Sequence, residues 1–508
     1  MIPSITQPRE AAPLLPLIRA LLTDSACYDH AVNQVRLIET HISWVLLTGE
    51  FAYKIKKPVD MGFLDFSTLA LRQQACSDEV RLNRRLAADI YLGVVAITGR
   101  PEAPRINVQG VAIEYAVKMR QFPPENTLDR LSERRELGAE QIDRLAERLA
   151  QFHLGECAVA PVGTPFGEPD TILHPVVENF RILAEYLNNP EQKQRLAHLQ
   201  SWSMMEHERL TPLMRERKRS GMVRECHGDL HLGNLAWVDG RLIIFDCIEF
   251  NPALRWIDVI SEVAFCYMDL LHHQHRDLAF RFLNAWLEAG GDYSGMVLLR
   301  FYAVYRAMVR AKVAVLRAGQ SADGFTQVNR FLQLAEQLTQ AAPPQLCITH
   351  GFSGCGKTTL SQSVLQEQGM VRLRSDVERK RLAGIASSAS SGSGMEEGLY
   401  APDVSRRVYA HLTILAEGLL GAGWPVIIDA AFLKRWQRDL FRELSQRLAV
   451  PFRIMDIQAS IATLRERINL RAAQGKDASE ADLQVLQHQI ETAESLGADE
   501  LSMVALVA

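Results

Sequence analysis

Several kinds of protein are excluded by what this sequence lacks. Its eight cysteines are scattered, with no C-x-x-C pair and no metal-ligand spacing. That leaves no zinc ribbon or disulfide framework and points to reduced thiols in a cytoplasmic protein. No uncharged apolar run approaches the ~20 residues that a spanning helix needs, so no membrane association is expected. The opening Met1-Ile2-Pro3-Ser4 has no basic stretch, and Leu14 to Leu22 is broken by Pro16 and Arg19, which argues against a signal peptide. Neither sign of charge dominates, the formal net charge being −4. With no aromatic-plus-basic stacking platform either, nucleic acid is disfavoured as a partner. No repeat of fixed period is visible.

What remains is an ordinary globular composition, 47% apolar and 23% charged, spread over 508 residues. That is too long for one core, so two or three domains are expected. The clearest joint is Ala341-Ala342-Pro343-Pro344, where two prolines stop a helical stretch (Phe331, Leu334, Ala335, Leu338). It divides the chain into domains 1–341 and 345–508. A polar stretch, Ala386 to Gly394, reads as a surface loop inside the second.

The second domain opens on Gly351-Phe352-Ser353-Gly354-Cys355-Gly356-Lys357-Thr358-Thr359, which fits G-x-x-x-x-G-K-[ST]. In such a loop the glycines turn backbone N–H groups inward onto phosphate oxygens. Lys357 is spaced to reach the β- and γ-phosphates and Thr358 to bind Mg²⁺. A short apolar strand at Leu346 precedes the loop, and helical spacing (Leu360, Val364, Leu365) follows it. The helix N-terminus adds partial positive charge at the same point. Pro425 to Asp429 reads as a second buried strand, ending in a carboxylate suited to a metal-bound water. Ala430 follows it, where a motor-type ATPase usually carries glutamate; this favours transfer to a substrate over hydrolysis, and a ring-forming mechanical ATPase fits poorly. Leu464 to Arg471 reads as a helix with Arg467 and Arg471 on one face, a lid to neutralise charge at transfer.

In the first domain, His41 to Leu47 and Phe51 to Lys56 read as a hairpin, Leu69 to Leu86 as a helix carrying Glu79, and Val94–Ile97 and Val111–Val117 as further strands. Helical sequence follows Pro124, an order that suggests α+β segregation. His227-Gly228-Asp229-Leu230-His231-Leu232-Gly233-Asn234 carries Asp and Asn at the interval of a kinase catalytic loop. There the Asp takes the acceptor hydroxyl's proton and the Asn holds Mg²⁺. The run Leu242 to Phe245 then delivers Asp246, placed to bind the metal that bridges the phosphates. Lys54 is the candidate to grip the α/β-phosphates and Glu79 to orient it. Lys56 shares the strand face of Lys54, and the sequence leaves the choice between them open.

This pattern resembles the aminoglycoside phosphotransferase-like branch of the protein-kinase fold over most of 35–316, although no Gly-rich phosphate lid precedes Lys54 and Asp246 lacks the Gly of D-F-G. The second domain resembles the small P-loop kinases of the polynucleotide kinase, zeta-toxin and gluconate-kinase type, over about 346–489. That resemblance implies an α/β domain with a parallel sheet, Asp376 as acceptor of the substrate hydroxyl's proton, and Arg379 as a holder of acceptor anions. The expectation is an ATP- and Mg²⁺-dependent kinase with two sites, acting on small-molecule hydroxyls. Its alternative keeps the first domain as a binding module and the P-loop domain as the only kinase, acting even on a nucleic-acid 5′-hydroxyl.

Overall fold

Between Arg36 and Arg120 the β-branched and aromatic runs fold, as expected, into an antiparallel sheet. The computed structural model describes residues 14–62, 64–318, 324–385, 401–474 and 482–505. A short helix α1 (Leu15–Thr23) leads into β1 (Arg36–Glu39), β2 (Ser43–Leu47) and β3 (Phe51–Lys56). Helix α2 (Leu69–Ala87), capped by the Thr68 hydroxyl, separates these from β4 (Tyr91–Arg100), β5 (Ala103–Ile106) and β6 (Ala112–Arg120). The strands lie in the order β1-β2-β3-β6-β4-β5. One face packs Leu17 and Leu21 of α1 against Trp44, Leu46, Tyr53, Ile55 and Ile97. Toward the other, Cys76 and Val80 of α2 pack with Tyr91, Val117 and Ile243. Burial of both faces explains why β3 reads as a nearly unbroken buried run although it carries two lysines.

Helices α3 (Leu128–Glu133), α4 (Ala139–Gln151), α5 (Pro169–Tyr186) and α6 (Pro190–Arg219) come next. Two small antiparallel ribbons follow: β7 (Val223–Glu225) with β10 (Trp256–Asp258), and β8 (Leu235–Val238) with β9 (Arg241–Ile244). Between β9 and β10 lies α7 (Pro252–Arg255), and after β10 comes α8 (Val259–His272). The ribbons flank the segment from His227 to Asn234, with buried Asp258 gripping Arg217 through two bonds of 2.7 Å.

Beyond α9 (Arg276–Gly290), α10 (Met296–Ala318) and α11 (Gly324–Thr339) the chain switches to parallel β/α units. They run β11 (Leu346–His350), α12 (Lys357–Gln368), β12 (Val371–Arg374), α13 (Ser375–Leu382), α14 (Pro402–Gly421), β13 (Val426–Asp429), α15 (Arg435–Arg447), β14 (Phe452–Asp456), α16 (Ile461–Gln474), α17 (Leu483–Thr492) and α18 (Ala498–Leu501). The parallel sheet has the order β12-β13-β11-β14. The polar stretch from Ala386 and the break after Gln474 lie outside the described residues.

By contact the described residues form two units. One draws on Met1–Leu137, Gly155–Ile172 and Thr211–Glu262, the other on Gly138–Leu154, Leu173–Leu210 and Val263–Ala508. Within the second, α9 and α10 dock on the P-loop sheet through side chains that satisfy open helix ends. Arg276 donates to the Glu367 and Gln368 carbonyls at 2.7 and 3.0 Å. Arg300 donates to Ala422 and Gly423, both at 2.7 Å, while stacking on Trp424. Among the described residues no helix is long and apolar enough to cross a membrane, and all eight cysteines are free and buried.

Candidate active sites

The period of two along β3 aims Lys54 and Lys56 at the same point, and the structure uses both. Lys54 Nζ donates to Glu79 Oε1 at 2.9 Å and to Asp246 Oδ1 at 2.5 Å. Lys56, fully buried, donates to the other Glu79 oxygen and to Glu249 Oε1. Each oxygen of the inaccessible Glu79 therefore takes one lysine. Burial works against the Lys54 ammonium, but Asp246, Glu79 and Glu249 together hold it well above the usual lysine range. Burial likewise raises the Asp246 carboxyl, and the Lys54 charge outweighs it, leaving that carboxyl below its ordinary value.

Asp246 sits in the left-handed region, φ 66°, which costs a non-glycine residue about 1–3 kcal/mol. Neighbours secure it. Its N–H donates to Tyr91 Oη at 3.1 Å, and the next N–H, of Cys247, donates to Asn83 Oδ1 at 2.9 Å. Asn83 stands one turn beyond Glu79 and returns a bond to the Glu79 carbonyl. Helix α2 thus carries both the partner of Lys54 and an anchor for the Asp246 turn. Tyr91→Phe should leave the part-buried Asp246 N–H without this acceptor and lower stability by about 1 kcal/mol. Urea unfolding measures this, and an unchanged midpoint would remove Tyr91 from the account.

The segment from His227 to Asn234 is fixed from behind. Glu262 Oε1 accepts the N–H groups of His227 and Gly228 at 2.6 and 2.8 Å, and His227 Nε2 meets the Phe245 carbonyl at 2.8 Å. Gly228 has φ 92°, and a Cβ there would lie 2.7 Å from the Leu254 carbonyl oxygen, so a side chain is excluded. Asn234 Nδ2 donates to the backbone carbonyl of Asp229 at 2.9 Å and to its carboxylate at 3.1 Å. The Asn234 carbonyl accepts the Phe245 N–H, which ties the loop to the Asp246 turn. Asn234 and Asp246 carry side-chain oxygens of the kind that suits Mg²⁺, with Asp229 beside them.

In the second unit the loop between β11 and α12 has the left-handed turns its glycines permit: φ 146° at Gly351, 84° at Gly354 and 104° at Gly356. A Cβ on Gly351 would meet the Ile457 carbonyl at 2.4 Å. Lys357 Nζ folds back along the loop to the Gly351 and Phe352 carbonyls at 3.0 and 2.8 Å. Arg467 Nη1 donates to the Cys355 carbonyl at 3.2 Å. Gln489 grips Ser353 on two atoms, accepting from its N–H at 2.9 Å and donating to its hydroxyl at 3.0 Å. Below them Cys355 packs with Leu464, Ile468 and Leu486, so α16 and α17 brace the loop. Thr358 and Thr359 open α12. Asp429 ends β13, buried, and accepts from Ser361 Oγ at 3.3 Å. Its carboxylate with the Thr358 hydroxyl is again an all-oxygen set. Asp376 is the second residue of α13, which follows β12 directly, and Arg379, buried a turn later, donates to Ser405 Oγ at 3.3 Å. Arg471 is in α16, with its side chain outside the described residues.

The sequence reading had no sign of Glu249, Asn83, Tyr91 or Gln489. Glu249 lies three positions after Asp246 and is the one of these with a local cue.

A family model described as "Phosphotransferase enzyme family" matches residues 72–302, and one described as "AAA domain" matches 346–496. Proteins of Mycobacterium tuberculosis and Mycobacterium bovis, both called uncharacterized, are 30% identical over 467 residues, covering 90% of this chain and 91% of theirs. The chain belongs to their family, a phosphotransferase domain followed by a P-loop kinase domain. Among solved structures, a choline/ethanolamine kinase family protein from Mesorhizobium loti is similar with a TM-score of 0.37 and 9% identity, over 61% of this chain and 88% of that one. A gluconokinase from Sinorhizobium meliloti is similar with a TM-score of 0.23 and 20% identity, over 32% of this chain and 82% of that one. The first site's Lys54 precedes the phosphotransferase match, whereas Glu79, Asp229, Asn234 and Asp246 fall inside it; the P-loop residues fall inside the P-loop kinase match.

Proposed function

We propose that this member of the family is an ATP- and Mg²⁺-dependent phosphotransferase with a site in each domain, moving the γ-phosphate of ATP to a hydroxyl of a small-molecule acceptor. The observation that carries the reading is the junction at Lys54, which meets Glu79 on one side and Asp246 on the other. A lysine held between those carboxylates is placed to trade Asp246 for the α/β-phosphates while Glu79 keeps it in position. Asp229 accepts the acceptor hydroxyl's proton as that oxygen attacks the γ-phosphorus. The bond from γ-phosphorus to the β–γ bridging oxygen breaks, and ADP leaves.

In the P-loop domain Lys357 leaves its loop carbonyls for the β/γ-phosphates, Asp376 takes the acceptor proton, and Arg467 and Arg471 neutralise charge on the transferred group. Arg379 holds an anionic part of the acceptor. Asn234 and Asp246, and separately Thr358 and Asp429, would hold Mg²⁺, which would offset phosphate charge during transfer. A cytoplasmic setting agrees with eight free thiols.

A second reading, in which the first domain binds without transferring, is favoured by the β1–β2 turn: residues 40–42 contain no glycine. A library of small alcohols, sugars and amino alcohols incubated with γ-labelled ATP and Mg²⁺ separates the two. The proposal expects label on at least one organic acceptor that persists in Lys357→Ala. Label that always disappears with Lys357 would leave the first domain as a binding module.

A further inference from the structure

Helix α9 precedes the linker and lies outside the P-loop kinase match, yet it contributes to the surroundings of the P-loop site. Its Asn284 serves as a strand partner for the sheet edge, with Nδ2 donating to the Met370 carbonyl at 2.9 Å and Oδ1 accepting the Arg372 N–H at 2.6 Å. One turn on, Glu288 Oε1 accepts from Arg372 Nε at 2.7 Å. The far end of Arg372 reaches Ser361 Oγ at 3.2 Å and the Thr358 carbonyl at 3.3 Å. Ser361 in turn donates to Asp429. A continuous polar chain therefore runs from Glu288 to the two residues assigned to Mg²⁺.

Arg374 completes it. Its guanidinium stands between two carboxylates at nearly equal distance, Glu288 Oε2 at 3.6 Å and Asp429 Oδ2 at 3.7 Å. All four side chains are largely buried, so these attractions are weakly screened. With Glu288 neutral, its pull on Arg374 is lost, and the Arg374 charge competes more strongly with Mg²⁺ for Asp429.

We infer that Glu288 is a positioning residue of the P-loop site, supplied from before the linker, which shares the Arg374 charge with Asp429 and fixes Arg372 behind Thr358. This rests on the nucleotide reading of the P-loop.

The test uses the full chain and calorimetric ATP binding over a Mg²⁺ titration, counting only the signal that Lys357→Ala removes. Glu288→Gln should raise the Mg²⁺ needed for half-maximal tightening roughly tenfold, the scale of one charge-assisted hydrogen bond. Affinity in EDTA should shift several-fold less. Glu288→Gln/Arg374→Gln should bring the Mg²⁺ requirement back to the wild-type value or below it, which a merely destabilised fold would not do. Should Glu288→Gln fail to fold, Arg374→Gln alone still decides, because removing the competitor should lower the Mg²⁺ requirement. An unchanged requirement in Glu288→Gln, no restoration in the double variant, or a raised or unchanged requirement in Arg374→Gln each overturns the inference. Absence of any Lys357-dependent binding in wild type would instead sink the nucleotide reading, and this inference with it.

Discussion

Asparagine in place of Asp229 is expected to cut phosphate transfer at the first site by about 10²–10⁴-fold, the usual contribution of a positioned general base. The substitution is nearly isosteric, and both contacts with Asn234 can be kept, one of them through the unchanged backbone carbonyl. What disappears is the proton acceptor. Nucleotide binding, which the proposal assigns to Lys54 and the Asp246 turn, should change only a few-fold. Asp376→Asn should act in the same way on the P-loop site and leave the first untouched. The paired variants, measured by label transfer to each acceptor found in the library, should divide the acceptors between the sites. An acceptor still labelled at full rate in Asp229→Asn but lost in Asp376→Asn belongs to the P-loop domain; if every acceptor behaves so, the first domain is not a transferase.

The second large effect concerns stability. Lys56 has no accessible surface and sits between Glu79 and Glu249. Lys56→Met removes one charge from a buried group and leaves Glu249 without that cation. Breaking one partner of a buried pair costs about 3–5 kcal/mol. Burial already raises the Glu249 carboxyl, with Lys56 the chief influence holding it down. Lys56→Met should therefore let that carboxyl take up a proton at higher pH. Replacing both partners with apolar groups, Lys56→Met/Glu249→Leu, should recover most of the loss, since a packed hydrophobic pair avoids the desolvation penalty. The recovered protein should still bind nucleotide less tightly, because Glu79 loses one of the two lysines that fix its position. Urea unfolding and ATP titration of the single and double variants measure this. A Lys56→Met protein as stable as wild type would show that the buried network does not need its second lysine.

This network also shows where the sequence stops being informative. The P-loop, the Asp229–Asn234 interval and Asp246 are legible because their residues are close in the chain and each spacing has a chemical reason. The parallel order around β11 follows from alternating β and α segments. The choice between Lys54 and Lys56 was open, since strand period places both on one face. The two differ in their surroundings through carboxylates roughly two hundred residues away, which no local pattern encodes: Asp246 beside Lys54 and Glu249 beside Lys56. Asn83 and Tyr91 read as ordinary helix and strand residues until the Asp246 turn is brought against them. Strands β1, β5 and β14 do not stand out from their surroundings, being short and, in β1 and β5, half exposed. Glu288 was invisible for a different reason. It lies on a helix that the linker prolines assign to the first domain, while its partners belong to the P-loop sheet.

The central claim is that one chain holds two nucleotide sites, each with its own phosphate-gripping lysine. Isothermal titration of ATP with Mg²⁺ into the intact protein tests it directly. Wild type should bind about two nucleotides per chain, and Lys54→Ala and Lys357→Ala should each bind about one. A single nucleotide in wild type that vanishes in either variant alone would contradict the account.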